Sequence, residues 1–171
     1  MPSKKEINPA ILFPIWYVYN VKFVCGVQRN KVTDTCNPNP THAGGAAVLN
    51  QGIYCTEVNI FNYHSHAEAR ILKYFAPLVI ENKPIGFEPK QQPAKLIDRI
   101  MLRPNSATGD DCCGIAKRLK VKNLLNIGFL KIVSSVDLSV TAVYTVADME
   151  NKVVSMDVEQ INGKTLSLSQ L

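Results

Sequence analysis

From residue 128 to the C-terminus the chain reads as four short alternating runs, 128–134, 138–146, 153–161 and 164–169, each bounded by turn residues. Within 138–146, Leu138, Val140, Ala142, Tyr144 and Val146 share one parity, and Ser139, Thr141, Val143 and Thr145 share the other. That period of two belongs to a half-buried strand. Asn162-Gly163 predicts a two-residue turn closing the last pair, because Asn-Gly tolerates the positive φ that a type I′ turn needs at both central positions. Upstream, Ile15, Tyr17, Tyr19, Val21 and Phe23 alternate with Trp16, Val18, Asn20, Lys22 and Val24 in a long first strand. Large side chains occupy both of its faces, so it is either central in a sandwich or shared with a neighbour.

Between these ends, 53–62 and 96–102 read as further strands. Segment 67–75 has locally helical composition, yet Ala69, Ile71, Lys73 and Phe75 alternate ahead of Pro77, and in an all-β setting it reads as a strand. The helix signal runs from Thr108 to Leu119: Thr108 as cap, Asp110 and Asp111 in the first turn, Lys117 and Arg118 in the last. Cys112, Ile115, Ala116 and Leu119 form its apolar stripe. Segments 30–45, rich in Asn, Pro, Thr and Gly, and 83–93 read as loops. The expected fold is all-β: a single β-sandwich of jelly-roll or immunoglobulin-like type with one short helix near 109–119.

With 171 residues, of which 46% are hydrophobic, the chain can bury one substantial core but not two large ones. One domain over 14–171 is expected, preceded by an N-terminal segment, 1–13. The formal charge of +5 comes from 19 Lys and Arg against 14 Asp and Glu, scattered except at Lys4-Lys5 and 117–122. A nucleic-acid groove shows a basic stripe interleaved with stacking aromatics; this chain has neither, and no nucleic-acid partner is expected. No run approaches the roughly eighteen apolar residues of a membrane span. The apolar run 10–24 behind Lys4-Lys5 imitates a signal peptide, but Pro14, Lys22 and the lack of a small-x-small cleavage site argue for a retained first strand.

Five cysteines stand at 25, 36, 55, 112 and 113, with no Cys-x-x-Cys spacing, so the common zinc-finger and thioredoxin signatures are absent. Adjacent Cys112 and Cys113 are poorly placed to bridge each other. Two readings stay open. The cysteines are buried thiols, or Cys25 pairs with Cys112 or Cys113 and Cys36 with Cys55. Pairing would imply an oxidising place such as a cell or spore surface, and free thiols a cytoplasmic one.

The strings Tyr19-Asn20-Val21-Lys22-Phe23-Val24-Cys25-Gly26, Thr56-Glu57-Val58-Asn59-Ile60, Asp111-Cys112, Gly128-Phe129-Leu130-Lys131-Ile132-Val133-Ser134 and Ala142-Val143-Tyr144-Thr145 together resemble a pattern in small, uncharacterised bacterial all-β proteins. The resemblance spans residues 17–160. It implies a compact β domain with one cysteine in the first strand and another at a short helix, which favours Cys25 with Cys112, and it implies no activity. Cys36 and Cys113 fall outside the pattern.

Candidate chemistry is sparse. The three histidines are His42, His64 and His66. His-x-His on a strand points both rings to one face, and with Glu68 at the next same-face position His64, His66 and Glu68 form a cupin-like candidate set for zinc, copper or iron. No downstream histidine completes that shell, and a solvated loop accounts for the same residues without a metal. Cys55 and His64 are a conceivable nucleophile and base without a surrounding signature, and neither Gly-x-Ser-x-Gly nor a phosphate-binding glycine loop occurs. With no convergent catalytic set, no cofactor is expected. The leading expectation is a structural or interaction module that self-associates into a homo-oligomer or filament, with segment 1–13 adding as a strand to the next subunit's sheet edge. The alternatives are a metal-dependent cupin-like enzyme using His64, His66 and Glu68, and a carbohydrate- or peptide-binding module using the 30–45 loop.

Overall fold

The computed structural model describes residues 15–29, 49, 51–87, 89–122 and 124–166. The expected N-terminal segment 1–13, the 30–45 loop, His42 and Cys36 lie outside those residues. The described chain runs β1 (Trp16–Gln28), β2 (Gly52–Asn62), β3 (Ala69–Ile80), β4 (Lys83–Pro84), β5 (Lys95–Leu102), β6 (Ser106–Asp110), α1 (Cys112–Leu119), β7 (Asn126–Ser134), β8 (Ser139–Ala147), β9 (Val153–Ile161) and β10 (Lys164–Leu166). Every pairing is antiparallel. Over the described residues the fold is all-β and sandwich-like with one short helix, and the sheet does not close into a barrel.

β1 belongs to both layers. In the first layer it lies between β10 and β7, with β3 beyond β7 and β4 and β5 along the far edge of β3. In the second layer β2 pairs with β8 on one edge and with β6 and the end of β1 on the other, and β9 pairs with the outer edge of β8. The switch falls between Cys25, which is opposite Asn126 of β7, and Gly26, which is opposite Tyr54 of β2. Gly26 has φ +105, a conformation that glycine adopts readily, and a Cβ there would run into the Leu124 carbonyl. Just beyond the switch, the buried Thr56 hydroxyl donates to the Val24 carbonyl and accepts from the Val24 N–H, both at 3.0 Å.

Alternation decides the core. Tyr19, Val21, Phe23 and Cys25 of β1 pack with Ile71 and Phe75 of β3 and Leu130 and Ile132 of β7; opposite them lie Val58 and Ile60 of β2 and Val140 and Ala142 of β8. Phe23 and Phe75 meet edge to face, ring centroids 5.5 Å apart, the arrangement aromatic quadrupoles favour. The expectation that 67–75 is a strand holds, since β3 begins at Ala69 and carries Pro77 next to a register shift.

Two expectations fail at element boundaries. Asn162-Gly163 does not close a hairpin, because β10 pairs with β1 instead of β9, and neither residue has positive φ. The glycine serves close approach instead: a Cβ at Gly163 would come within 2.7 Å of the Tyr19 ring. The helix also starts later than Thr108. Residues 106–110 pair with β2, Asp110 opposite Val58, so Asp111 becomes the N-cap and accepts from the Gly114 N–H at 2.6 Å. Lys120, in the left-handed conformation, ends the helix.

Candidate functional site: the open edge of β9

All the expected site residues except Cys36 fall within the described residues. His64 and His66 lie in the segment between β2 and β3, so strand alternation does not align their rings. Asn62 organises that segment from the buried end of β2: its side-chain nitrogen donates to the carbonyls of Ala67, Leu102 and Arg103 at 2.8 to 3.1 Å, and its oxygen accepts from the His64 N–H at 3.2 Å. The His64 Nε2 is 2.9 Å from the Asp137 carbonyl; a carbonyl only accepts, so Nε2 carries the proton. The ring stacks on Tyr63 with centroids 4.5 Å apart. His66 and Glu68 are exposed. Among the described residues no group of three or more His, Cys, Asp or Glu is arranged to hold a metal ion.

Asp137 is the hub beside His64. Its carboxylate accepts from the hydroxyls of Tyr19 at 2.6 Å and Tyr63 at 2.7 Å, and the Tyr19 oxygen accepts from the Leu138 N–H at 2.7 Å. Burial raises the Tyr19 phenol far above its ordinary range, and its hydrogen bond to Asp137 adds to the rise. For Asp137 burial works the other way, but the phenolic hydrogen bonds outweigh it and hold the carboxyl below its usual range. This arrangement pins the β7–β8 connection to the core.

Cys25 and Cys112 form a disulfide with Cα atoms 5.5 Å apart, joining β1 to the first residue of α1. Cys55 and Cys113 are free thiols at the surface; Cys36, the expected partner of Cys55, is outside the described residues. Cys55 is exposed, but partial burial still raises its thiol above the ordinary range, and the nearby Asp111, Cys113 and Glu57 raise it further against a hydrogen bond at the Cys112 backbone. On the outer face of the first layer, Trp16, Leu72, Tyr74, Ala94, Lys131 and Val133 line an open cleft of about 300 Å³.

The feature with the least structural explanation is β9. Among the described residues it pairs with β8 alone, and every residue from Val153 to Gln160 is exposed. Period-two reading would turn Val154, Met156 and Val158 toward the core and Asp157 and Glu159 to solvent. The register reverses that. Glu159 and Asp157 are opposite Ala142 and Tyr144, on the core side of β8, while Val158 and Met156 are opposite Val143 and Thr145 on the outer side. A register shift at Val146/Ala147 brings Val153 opposite Ala147, so Val153 joins Met156 and Val158 on that outer side. Val153, Val154, Met156 and Val158 are 67%, 69%, 67% and 59% exposed. The Tyr144 hydroxyl donates to Glu159 at 3.2 Å, and burial, with the Glu159 carboxylate next, pushes this phenol up to about 12.

The sequence carried part of the signal for this surface, a run with apolar residues at both parities near 153–158; the run after it reads as its hairpin partner, but β10 pairs with β1 instead. Among the described residues, no helix is long and apolar enough to cross a membrane. No family model, no curated protein and no solved structure matches this chain.

Proposed function

We propose that this chain is a structural module that self-associates, and that two copies join by pairing β9 with β9 across a two-fold axis. The observation that carries the reading is the combination, on one strand, of a backbone edge that no other described strand pairs with and four exposed apolar side chains. An open edge presents unpaired N–H and C=O groups that template another strand, and an adjoining apolar patch supplies the burial that holds it.

Charge narrows the register, and the matching of apolar residues selects among those left. Centring the two-fold on Asp157 or Glu159 sets like carboxylates opposite each other, and centring on Val158 sets Asp157 against Glu159. Centring on Met156 sets Met156 against itself, Val154 against Val158, Ser155 against Asp157 and Lys152 against Gln160. That register opposes no like charges and sets the Met156 pair beside two Val154–Val158 pairs, with Val153 falling against Glu159. Fully burying a side chain of this kind is worth roughly 1.5–3 kcal/mol. The two copies together offer about 10 kcal/mol before the cost of association, which suits a reversible, concentration-dependent dimer. The Cys25–Cys112 bond supports maturation in an oxidising compartment, a cell or spore surface among them.

Light scattering across concentration tests the reading. The wild-type protein should dimerise or extend further, and Met156→Lys, which opposes two ammonium groups at the two-fold, should yield a folded monomer. A wild-type monomer at high concentration overturns the proposal, as does a Met156→Lys variant with unchanged assembly size. Deleting residues 1–10 separates this contact from N-terminal strand exchange: assembly lost on deletion but kept in Met156→Lys would place the contact at the N-terminus.

A further inference from the structure

Lys73 lies on the inward face of β3 in line with Ala69, Ile71 and Phe75, and is 1% exposed. Its Nζ is 2.6 Å from Oδ2 of Asp110, at the end of β6 in the other layer, whose side chain is 0% exposed. Oδ2 nevertheless accepts no hydrogen bond from the described residues, so the Lys73 amine approaches outside hydrogen-bonding angles. The other oxygen, Oδ1, accepts from Arg118 Nη1 at 2.9 Å, and Arg118 Nη2 is 3.1 Å from Asp98 Oδ2. Asp98 is the cross-strand neighbour of Lys73 on β5.

We infer that Lys73 and Asp110 condense to an intramolecular amide that joins the two layers of the sandwich. Two features favour the step. Both groups are buried and held in contact by packed strands, so the reaction has the high effective concentration of a fixed intramolecular pair. Condensation also removes two buried charges whose desolvation their mutual attraction repays poorly. The surroundings stay neutral on both sides of the step, since Lys73 with Asp110 cancel each other and Arg118 with Asp98 remain as a balanced pair.

The atoms balance without another reagent. Lys73 ammonium and Asp110 carboxylate become amine and acid by one proton transfer. Nζ then bonds to Cγ, and Oδ2 departs with two of the three ammonium hydrogens as water; the third stays on the amide nitrogen. Oδ1, which becomes the amide carbonyl oxygen, keeps the Arg118 hydrogen bond, and Arg118 positions the carboxyl group throughout. The new bond would lie two residues from Cys112, so that β3 and the β6–α1 junction are tied covalently beside the tie from β1.

Denaturing intact-mass measurement of the full chain, followed by peptide mapping, tests the inference. The wild-type mass should be one water below the sequence value after allowance for the disulfide, and digestion should yield a branched peptide joining the segments around Lys73 and Asp110. Asp110→Asn should reach the same final mass as the wild type, because its amide loses ammonia in forming the identical bond. Asp110→Ala should keep its full sequence mass. A wild-type chain at full mass overturns the proposal whether or not the alanine variant folds. So does a water loss that maps to a linear peptide, the sign of a cyclic imide at an aspartate, or one that persists in Asp110→Ala.

Discussion

Reducing the Cys25–Cys112 bond should lower the melting temperature by an amount set mainly by chain entropy. The bond closes a separation of 87 residues. In the chain-entropy treatment a loop of this length removes about 15 cal/mol/K from the unfolded ensemble, or roughly 4.6 kcal/mol at 25 °C. Unfolded chains are more compact than that treatment assumes, and native disulfides more often contribute about 2–4 kcal/mol. For a chain of this size each kcal/mol moves the midpoint by about 2–4 °C, so a fall of about 5–15 °C is expected. Cys25 is buried, which makes reduction in the folded state slow; the reduced form is best made by refolding from denaturant under reductant. The same treatment predicts a larger urea m-value for the reduced protein, whose unfolded state is less constrained. A reduced protein that melts within about 2 °C of the oxidised one, with thiol titration confirming reduction, would refute the reasoning. Five titratable thiols in unreduced, unfolded chain would show that the bond does not form in solution.

Asn62→Ala should cost about 2–4 kcal/mol in urea denaturation, because it strands buried carbonyls that now share one donor group; a loss below about 0.5 kcal/mol would mean water replaces the amide. Gly163→Ala should destabilise by about 1–3 kcal/mol by driving a methyl into the Tyr19 ring, and an unchanged melting point would show that the Gly163 backbone gives way. Tyr19 and Asp137 give stability opposite pH limbs. The raised phenol contributes below its unfolded value near 10 and its contribution is lost as pH rises. The lowered carboxyl contributes above its unfolded value near 3.9 and its contribution is lost as pH falls. Tyr19→Phe should flatten both limbs, and melting curves at acid, neutral and alkaline pH check this. Cys55, its thiol raised by burial, should alkylate more slowly than a cysteine peptide near pH 8 and catch up in more alkaline buffer; equal rates at pH 8 would contradict the shift.

Local periodicity made most of the fold legible. Strand parity placed Tyr19, Val21 and Phe23 on one face, and the alternation of Ala69 through Phe75 outweighed helical composition. What escaped was information held between strands. Asn162-Gly163 is a strong hairpin signal, yet the chain crosses to the other layer there, and the glycine answers to the Tyr19 ring instead of to a turn. Asp110 and Asp111 look alike at the start of a helix; only the pairing of Asp110 with Val58 of β2 separates a buried charge from a cap. Lys73 stood in plain view as a lysine on the apolar side of β3. That is the signal by which the buried pair could have been found, since an unpaired ammonium is not left in a core. The apolar run in β9 was readable as a strand, but its outward direction depends on its register with β8, where a slip of one residue reverses every side chain.

The pairing of β1 with β10 also decides how the domain would carry a mechanical load. Trp16 is opposite Leu166, so the described chain enters and leaves side by side on neighbouring strands. A pull separating those ends loads the short ladder from Trp16–Leu166 to Val18–Lys164 one rung at a time, as a zip opens, instead of straining all rungs together. β10 would peel first, and β1 would then detach along β7 as far as Cys25. There the covalent bond to Cys112 diverts the force, and residues 26–111, with β2 to β6, drop out of the load path. The ends would act as a compliant tether, with a clamp that keeps half the domain from extending.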